Sequence, residues 1–384
     1  MVSQHSGHSS SIVALLFVAG LVGGLFLGGI VTAFVLYGQI NTLNTKLSNV
    51  ESLVSISTGN QTAYNQNFTV YMNQTDYSVI YDEVKDSVVV ITGTASGATV
   101  EGSGFVYNLT GSMVVVTNDH VVSGATGISV TFSDGDGYAA RVNGTDPYSD
   151  LAVLTVPSAP QSEFKPLVVL NSSSLKVGDP VIAIGNPYGL TGSLTTGVVS
   201  ALGRTITESD LAGGYAIANI IQTSTPINPG NSGGPLLTLN GTVVGITTAI
   251  VTNSQGLGFA VPSETIVKEV PSLATVGSYN LHAYLGVEGS DMDYDTAQSM
   301  NVNVTYGWLI DSVVSGGPAA SAKPTAVKAN DIIIALNTTR VINGDALTSW
   351  MEQNTVPGDT VVLTVIRGEQ TLQLSVTLGT RPPP

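Results

Sequence analysis

The chain has 384 residues, of which 43% are hydrophobic and only 10% charged, and its formal net charge is -15. A surface with that excess of carboxylates repels phosphate backbones, so we expect no nucleic-acid partner. Cysteine is absent and only four histidines are present. Disulfides, thiolate catalysis and cysteine-based zinc sites are therefore excluded, and we expect no metal and no other cofactor.

The first predicted element is a membrane anchor. After a short tail, residues 1–11, residues 12–37 form an uncharged and mostly apolar run, and about 20 helical residues are enough to cross a bilayer. A cleaved signal peptide is the alternative. Its apolar region would be shorter, about 7–15 residues, and would follow a basic start, whereas no Lys or Arg precedes this run. We therefore expect a single-pass anchor in the cell membrane.

A stalk and linker are predicted for residues 38–76. Apolar residues there follow a short heptad spacing, Ile40, Leu43, Leu47, Val50 and Val54, which indicates a helix that could associate with copies of itself. Nine Asn-x-Ser/Thr triplets follow the anchor, the first at Asn60 and the last at Asn337. Such triplets are typical of a glycosylated exterior. We therefore expect everything after the anchor to lie on the extracellular side.

Residues 77–271 predict a mainly β domain. Short β-branched runs alternate with Gly, Asn and Pro, as at 87–92, 113–117, 152–156, 181–184 and 242–246. Strands that recur at such intervals favour an all-β barrel or sandwich.

Three segments of this domain carry side chains suited to nucleophilic catalysis. His120 follows a predicted strand, although a lone His is more often structural. Asp150 precedes another strand, where an Asp is usually a turn residue. Ser232 lies in the run GNSGGP, residues 230–235. The glycines around it allow a tight backbone that exposes the hydroxyl and points N–H groups at a substrate.

The run 230–234 also matches the G-x-S-x-G pattern of α/β-hydrolases. In that fold the serine lies between a strand and a helix, and the triad order is Ser, Asp, His. Here Pro235 follows at once and leads into a predicted strand, and the order is His, Asp, Ser. That order is the one found in chymotrypsin-like proteases.

Taken in order, the segments TNDHVV, SDLAV, GNPYGL, VVSALGR, IQTSTPINPGNSGGPL, NGTVVGI and GLGFAVPS resemble the HtrA (Deg-type) serine proteases. The resemblance covers residues 82–262. It implies a chymotrypsin-like fold of two packed six-stranded β-barrels with the catalytic triad between them.

The resemblance also implies a role for each residue of the site. His120 is the general base, Asp150 orients it, and Ser232 is the nucleophile. The backbone N–H groups of Gly230 and Ser232 form the oxyanion hole, with Asn231 between them shaping the turn.

Substrate choice and regulation follow from the same resemblance. The first specificity pocket corresponds to Ile227, Ala249 and Ile250, whose apolar side chains predict cleavage after Val, Ala or Ile; the alternative is that they are plain barrel core. Arg204 matches an arginine that links regulatory loops in relatives, and a solvated loop charge is its alternative. The regulatory loops correspond to residues 185–193, 203–216, 225–231 and 249–256.

Residues 280–380 resemble a single PDZ domain of the HtrA type. Strands are predicted at 307–314, 331–336, 360–367 and 370–377, with a helix at 344–353. The segment Tyr284, Leu285, Gly286 and Val287 matches the loop that binds a peptide C-terminus through backbone N–H groups. The alternative is a vestigial PDZ domain that only packs on the protease. Asn330 is expected to take the left-handed turn in which the family often has Gly.

The sequence thus predicts a mainly β, membrane-anchored, PDZ-regulated serine endopeptidase that degrades unfolded or damaged proteins outside the membrane. The resemblance implies a homotrimer or higher oligomer. Two other functions stay open: a signalling protease that makes one regulatory cut, and a non-catalytic chaperone or peptide-binding tether. The intact set of His120, Asp150 and Ser232 weighs against the last of these.

Overall fold

The computed structural model describes residues 76–185, 192–207, 216–228, 230–248 and 256–383. The predicted tail and anchor and nearly all of the predicted stalk lie outside these residues. In the part of the chain that is described, no helix has both the length and the apolar character needed to cross a membrane. The anchor, its orientation and the stalk helix therefore stay predictions.

A short helix leads into the predicted protease domain. α1 (Tyr77–Val84) begins after Asp76, whose Oδ1 accepts a hydrogen bond from the N–H of Ser78 at 3.1 Å. This contact satisfies one of the N–H groups that a helix start leaves unpaired. Ile80 and Val84 are four residues apart, so both lie on the face that is buried against the protease core.

Seven antiparallel strands form the first sheet of the protease domain, in the order β5-β4-β1-β2-β3-β7-β6. They are β1 (Val88–Ala95), β2 (Ala98–Leu109), β3 (Ser112–Thr117), β4 (Thr126–Thr131), β5 (Gly137–Ala139), β6 (Arg141–Asp146) and β7 (Leu151–Thr155). The expectation of a six-stranded barrel is wrong here: the strands form a seven-stranded sheet, and the extra strand is the short β5, which pairs with β4 at the sheet edge. A four-residue helix, α2 (Asp119–Val122), follows β3.

Six strands close the second barrel, in the order β10-β13-β12-β11-β8-β9, as expected. They are β8 (Pro180–Gly185), β9 (Ser193–Thr207), β10 (Ala216–Thr223), β11 (Pro235–Leu237), β12 (Val243–Thr248) and β13 (Gly258–Pro262). β9 continues to Thr207 because its end pairs with the start of β10. Part of the segment 203–216 that was expected to be a regulatory loop is therefore strand.

One helix packs across the two halves of the protease domain. In α3 (Ser263–Thr275) the buried residues Ile266, Val270 and Leu273 recur at helical spacing. They belong to one apolar cluster that includes residues of the first sheet and of the second barrel, the two β-units of this domain, among them Phe105 of β2 and Ile246 of β12. The active-site segments are thus held by a core that the two β-units share.

The remaining elements form the predicted PDZ domain. Its strands are β14 (Ala283–Tyr284), β15 (Val287–Asp291), β16 (Trp308–Val313), β17 (Ile332–Leu336), β18 (Thr339–Arg340), β19 (Thr360–Arg367), β20 (Gln370–Thr377) and β21 (Gly379–Thr380), and its helices are α4 (Tyr294–Met300) and α5 (Gly344–Asn354). The predicted strands 360–367 and 370–377 have the observed bounds, and the predicted helix 344–353 is one residue short. Asn330 takes the expected left-handed conformation, with φ 68°.

Candidate active site

His120 lies just beyond the carboxyl end of β3, an interior strand of the first sheet. Thr117, the last residue of that strand, is fully buried and its Oγ1 donates to the carbonyl of Ser103 at 2.7 Å. The chain then turns into α2, whose Val121 and Val122 are buried in the core of the first sheet. Because Thr117 before it and Val121 after it are anchored in this way, the strand end and the short helix fix the position of His120.

Asp150 contacts His120 through both carboxylate oxygens. Nδ1 of His120 lies 2.9 Å from Oδ1 and 2.9 Å from Oδ2, and the His120 backbone N–H donates to Oδ1 at 3.0 Å. An ionised carboxylate only accepts hydrogen bonds, so Nδ1 carries the proton and Nε2 is the basic nitrogen of the neutral ring. This is the tautomer that a general-base histidine requires.

Two further residues hold Asp150, which is 1% exposed. Oγ1 of Thr248, at the end of β12, donates to Oδ2 at 2.9 Å, and the side-chain amide of Asn118 donates to the Asp150 carbonyl at 2.9 Å. Asp150 itself has φ 52°, a conformation that few non-glycine residues adopt. Contacts from the first sheet and from the second barrel therefore fix the Asp150 carboxylate that contacts the His120 ring.

Ser232 lies in the glycine-rich turn between β10 and β11, against the first sheet. Its carbonyl accepts a hydrogen bond from the N–H of Ser103 at 2.8 Å. Gly233 has φ 85°, and a Cβ at that position would lie 2.0 Å from the Ser103 carbonyl, so no other residue fits there. The Ser232 carbonyl and Val121 also pack on the same glycine, Gly102. The segments that carry Ser232 and His120 are thus neighbours.

The residues expected to form the oxyanion hole lie in the same turn. Oγ of Ser103 donates to the Gly230 carbonyl at 2.6 Å, and Oγ1 of Thr247 donates to the Asn231 carbonyl at 2.6 Å. These bonds fix two of the peptide groups that precede Ser232. The donor roles of the Gly230 and Ser232 N–H groups stay predictions.

An acidic side chain next to the triad was missed by the sequence analysis. Burial, together with the nearby negative charge of Asp150, raises the pKa of Asp119 to about 6. Thr248 was missed as well, because it follows Asp150 by 98 positions and no local pattern relates the two residues. The position of Asp119 immediately before His120 was the one available signal.

The expected specificity pocket is described only at Ile227. This residue is half-buried and packs against an apolar cluster of the second barrel. It also lies next to Gly258, where a Cβ would come within 2.7 Å of its Cγ1. Ala249 and Ile250 lie outside the described residues. The pocket and the alternative of plain barrel core both stay open.

The expected peptide-binding loop, residues 284–287, turns between β14 and β15. Gly286 has φ 76° and its carbonyl accepts from the N–H of Val314 at 3.0 Å, while Leu285 is buried. Tyr284 and Val287 flank a cavity of about 220 Å³ with Leu285 and Gly286. Strand residues of the protease line the same cavity, namely Thr205, Ala216 and Ala218.

Arg204 contacts the PDZ domain. Its Nη1 lies 3.2 Å from Oδ2 of Asp345, at the start of α5, and the side chain of Arg204 is 47% exposed. The N–H of Thr205 donates to Oδ1 of the same carboxylate at 2.8 Å. The structure thus places Arg204 between the two domains, and a link to other regulatory loops stays a prediction.

Comparison with known proteins agrees with this geometry. A family model described as a trypsin-like peptidase domain matches residues 102–246, and a PDZ-domain model matches residues 283–378. The putative serine protease HhoA of Synechocystis is 37% identical over 285 residues, covering 72% of this chain and 70% of that protein. The chain belongs to the HtrA-type serine proteases.

Other members of this HtrA-type family differ in length. A probable periplasmic serine endoprotease, DegP-like, of Chlamydia trachomatis is 39% identical over 283 residues, covering 73% of this chain but only 54% of that protein. A solved structure of the HtrA-type protease AlgW with a tripeptide superposes with a TM-score of 0.65 at 30% identity, covering 80% of this chain and 98% of that one. The chain thus spans about half the length of some relatives.

Proposed function

We propose that the chain is a membrane-anchored serine endopeptidase that cleaves unfolded or damaged proteins outside the membrane. The observation that carries this proposal is the contact of His120 Nδ1 with both oxygens of the Asp150 carboxylate, 2.9 Å each, beside the glycine-rich turn of Ser232. A buried aspartate that fixes the tautomer of a histidine at the edge of such a turn suits proton transfer from a serine hydroxyl.

In this mechanism, Ser232 Oγ attacks the peptide carbonyl carbon as Nε2 of His120 takes its proton. Asp150 stabilises the imidazolium that forms, and the N–H groups of Gly230 and Ser232 stabilise the negative oxygen of the tetrahedral intermediate. His120 then protonates the leaving amine. Departure of the amine leaves the acyl group bonded to Ser232 Oγ. A water molecule then attacks that acyl carbon as His120 takes its proton, and the acid product leaves as Ser232 regains its hydroxyl hydrogen. No metal or cofactor has a role in these steps.

The substrates we propose are extended chains with small or medium aliphatic side chains before the cut. Support comes from the apolar Ile227 and from the apolar Ala249 and Ile250 of the sequence. None of the three could pair with a basic side chain in the pocket.

An extracellular location, a membrane anchor and a homotrimer or higher oligomer belong to the same proposal. Support comes from the apolar run at 12–37 and the nine glycosylation triplets, and from the relative of Chlamydia trachomatis that is named a periplasmic endoprotease.

A second candidate is a signalling protease that one peptide switches on. The cavity beside the peptide-binding loop favours it, since residues of β9 and β10 line that cavity together with the loop. A peptide C-terminus that enters as an added strand would contact the protease domain as well as the PDZ domain. Binding there could then change the protease domain directly.

The full chain, purified in a mild detergent, tests the proposal beside the Ser232→Ala variant. Both are incubated with casein over a range of pH, with and without hydrophobic C-terminal peptides, and the cuts are mapped by mass spectrometry. We expect cuts after Val, Ala or Ile by the parent alone. If neither protein cuts casein even with peptide added, the endopeptidase proposal fails, and protection of casein from aggregation would favour the chaperone function instead.

A further inference from the structure

A cluster of buried and half-buried polar side chains lies where the protease and PDZ domains meet. Its members are Asp146, Ser149, Glu269, His282 and Glu352. Nε2 of His282 lies 2.6 Å from Oδ2 of Asp146. Its Nδ1 lies 3.2 Å from Oε2 of Glu352, on helix α5 of the PDZ domain. His282 is 3% exposed. The imidazole therefore joins a carboxylate of the protease to a carboxylate of α5.

The protease carboxylate of this cluster shapes the turn that presents Asp150. Asp146 ends β6, and Asp150 follows four residues later, immediately before β7. Oδ1 of Asp146 accepts the N–H of Tyr148 at 2.9 Å, and Oδ2 accepts the hydroxyl of Ser149 at 3.0 Å. Asp146 thus holds both residues that precede Asp150, while its Oδ2 also contacts His282.

The contacts of His282 require a protonated ring. An ionised carboxylate offers no hydrogen, so a ring that contacts Asp146 at one nitrogen and Glu352 at the other must donate from both. Only the imidazolium has two N–H groups. Its positive charge lies between two negative charges, which is the pairing that a buried ion needs.

A second proton is needed at the other end of the cluster. The Ser149 hydroxyl lies 2.5 Å from Oε2 of Glu269 as well as 3.0 Å from Asp146, and one hydroxyl hydrogen cannot serve both. Burial raises the pKa of Glu269 well above its usual range. Glu269 therefore carries a proton and donates it to Ser149, which donates to Asp146.

A metal ion is an alternative occupant, since ligand atoms of Asp146, Glu269 and His282 lie within 4.8 Å of one another. Among the described residues nothing donates to Oε1 of Glu269. Two ligands of one zinc ion would be roughly 3.4 Å apart, given tetrahedral bonds of about 2.1 Å. The 2.6 Å between His282 and Asp146 is shorter and is typical of a hydrogen bond. The distances therefore favour hydrogen bonds, and not a metal ion, between these side chains.

We propose that His282 is a positioning residue for the protease reaction: by joining Asp146 to Glu352 of the PDZ helix, it holds the turn that presents Asp150 to His120. The inference rests on the proposed endopeptidase function and concerns the same site. Asp150 contacts His120 at 2.9 Å in the arrangement that has the PDZ domain docked. Separation of the domains removes one partner of His282 and loosens the turn.

The charge of His282 makes this positioning sensitive to pH. Burial favours the neutral ring, but the hydrogen bonds to Asp146 and Glu352 and their charges outweigh it and raise the pKa of His282 to about 10. The stabilisation is complete below the unfolded value of about 6.5 and is lost as the pH rises through 10. The titratable and charged groups that face His282 or its partners are Asp146, Tyr148, Lys268, Glu269, Tyr279, Glu352 and Arg381.

The test compares His282→Gln and Glu352→Gln with the parent in the full chain. Gln353→Ala is the matched control, because it removes a hydrogen bond from α5 to Asn219 of the protease without touching the cluster. Casein cleavage gives kcat and KM from pH 5 to 10, and thermal unfolding checks that each variant folds.

We expect kcat to fall about ten- to hundred-fold in His282→Gln and less in Glu352→Gln, with KM little changed, because misplacing a catalytic group by a fraction of an ångström lowers the rate by such factors. We expect the kcat of the parent to fall as the pH approaches 10, and this fall should be absent in His282→Gln. A folded His282→Gln variant with the parent's kcat and pH profile would overturn the inference.

Amide hydrogen exchange of residues 146–151, measured by mass spectrometry, separates this inference from the proposed function. Faster exchange in both cluster variants but not in Gln353→Ala supports the positioning role even if the parent cleaves nothing. Unchanged exchange in His282→Gln overturns it even if the parent cleaves casein. A rise in melting temperature with zinc chloride in the parent but not in His282→Gln would also overturn it, in favour of a metal site.

Discussion

The two β-units of the protease domain meet through an apolar core, whereas the protease and PDZ domains meet through hydrogen bonds and ion pairs. Phe105 of the first sheet and Ile246 of the second barrel belong to one buried cluster. Among the described residues no apolar cluster contains side chains of both the protease β-units and the PDZ strands. The difference indicates that the first interface is permanent, while the second can respond to pH, salt and peptide.

The largest effect is expected in the apolar interface. Phe105→Ala removes a fully buried ring from the core that the two β-units share, and such changes lower the free energy of unfolding by about 3–5 kcal/mol. Denaturant unfolding measures it. Val168→Ala, at a position 60% exposed, should stay within about 0.5 kcal/mol. Equal effects of the two changes would contradict a shared core.

Thr248 tests how far the second barrel supports a residue of the first sheet. Thr248→Val removes the hydrogen bond to Asp150, and a hydrogen bond to a charged group contributes about 1.5–3 kcal/mol. We expect kcat on casein to fall by about ten-fold or more. Thr238→Val removes a hairpin hydrogen bond to Thr242 in the same barrel and should leave kcat unchanged. An unaltered kcat in Thr248→Val would show that the contacts with His120 and Asn118 are enough to hold Asp150.

The interface between the protease and PDZ domains should lose stability in alkaline solution. The folded-state pKa of His282 is raised to about 10, so its contribution is present below about pH 6.5 and is lost as the pH rises through 10. We expect the free energy of unfolding to fall more steeply in the parent than in His282→Gln between pH 6.5 and 10. Parallel pH curves for the two proteins would contradict a charged His282.

The smallest effect is expected at the exposed edge of the same interface. Asp345→Asn removes the ion pair with Arg204 but keeps an oxygen that can accept from the Thr205 N–H. Exposed ion pairs contribute about 0–1 kcal/mol, and the difference should vanish in 1 M salt, where the screening length is about 3 Å. Thermal unfolding at low and high salt measures it. A salt-independent loss would assign Asp345 a role beyond charge.

The sequence was most informative where backbone geometry restricts the residue type. The glycines around Ser232 and the strand end before His120 are local features, and both lie where they were predicted. The PDZ strands 360–367 and 370–377 were predictable because both are rich in β-branched and aliphatic residues. β5 was missed because three residues, Gly137–Ala139, carry no pattern.

The support of the site could not be read from the sequence. Thr248 and Asp150 are 98 positions apart, and His282 and Asp146 are 136 apart, so only the fold brings each pair together. A lone buried histidine has no signature that separates it from a solvent-exposed one. The role of Asp146 as a carboxylate shared between a turn and a neighbouring domain depends on contacts from four segments of the chain.

The most direct test of the catalytic assignment is covalent labelling of the full chain with a fluorophosphonate, which reacts with activated serines. After digestion, mass spectrometry identifies the modified residue. We expect Ser232 to be the modified serine in the parent and unmodified in His120→Ala. Casein cleavage by a parent that is labelled at another serine, or equal labelling of Ser232 with and without His120, would contradict the triad.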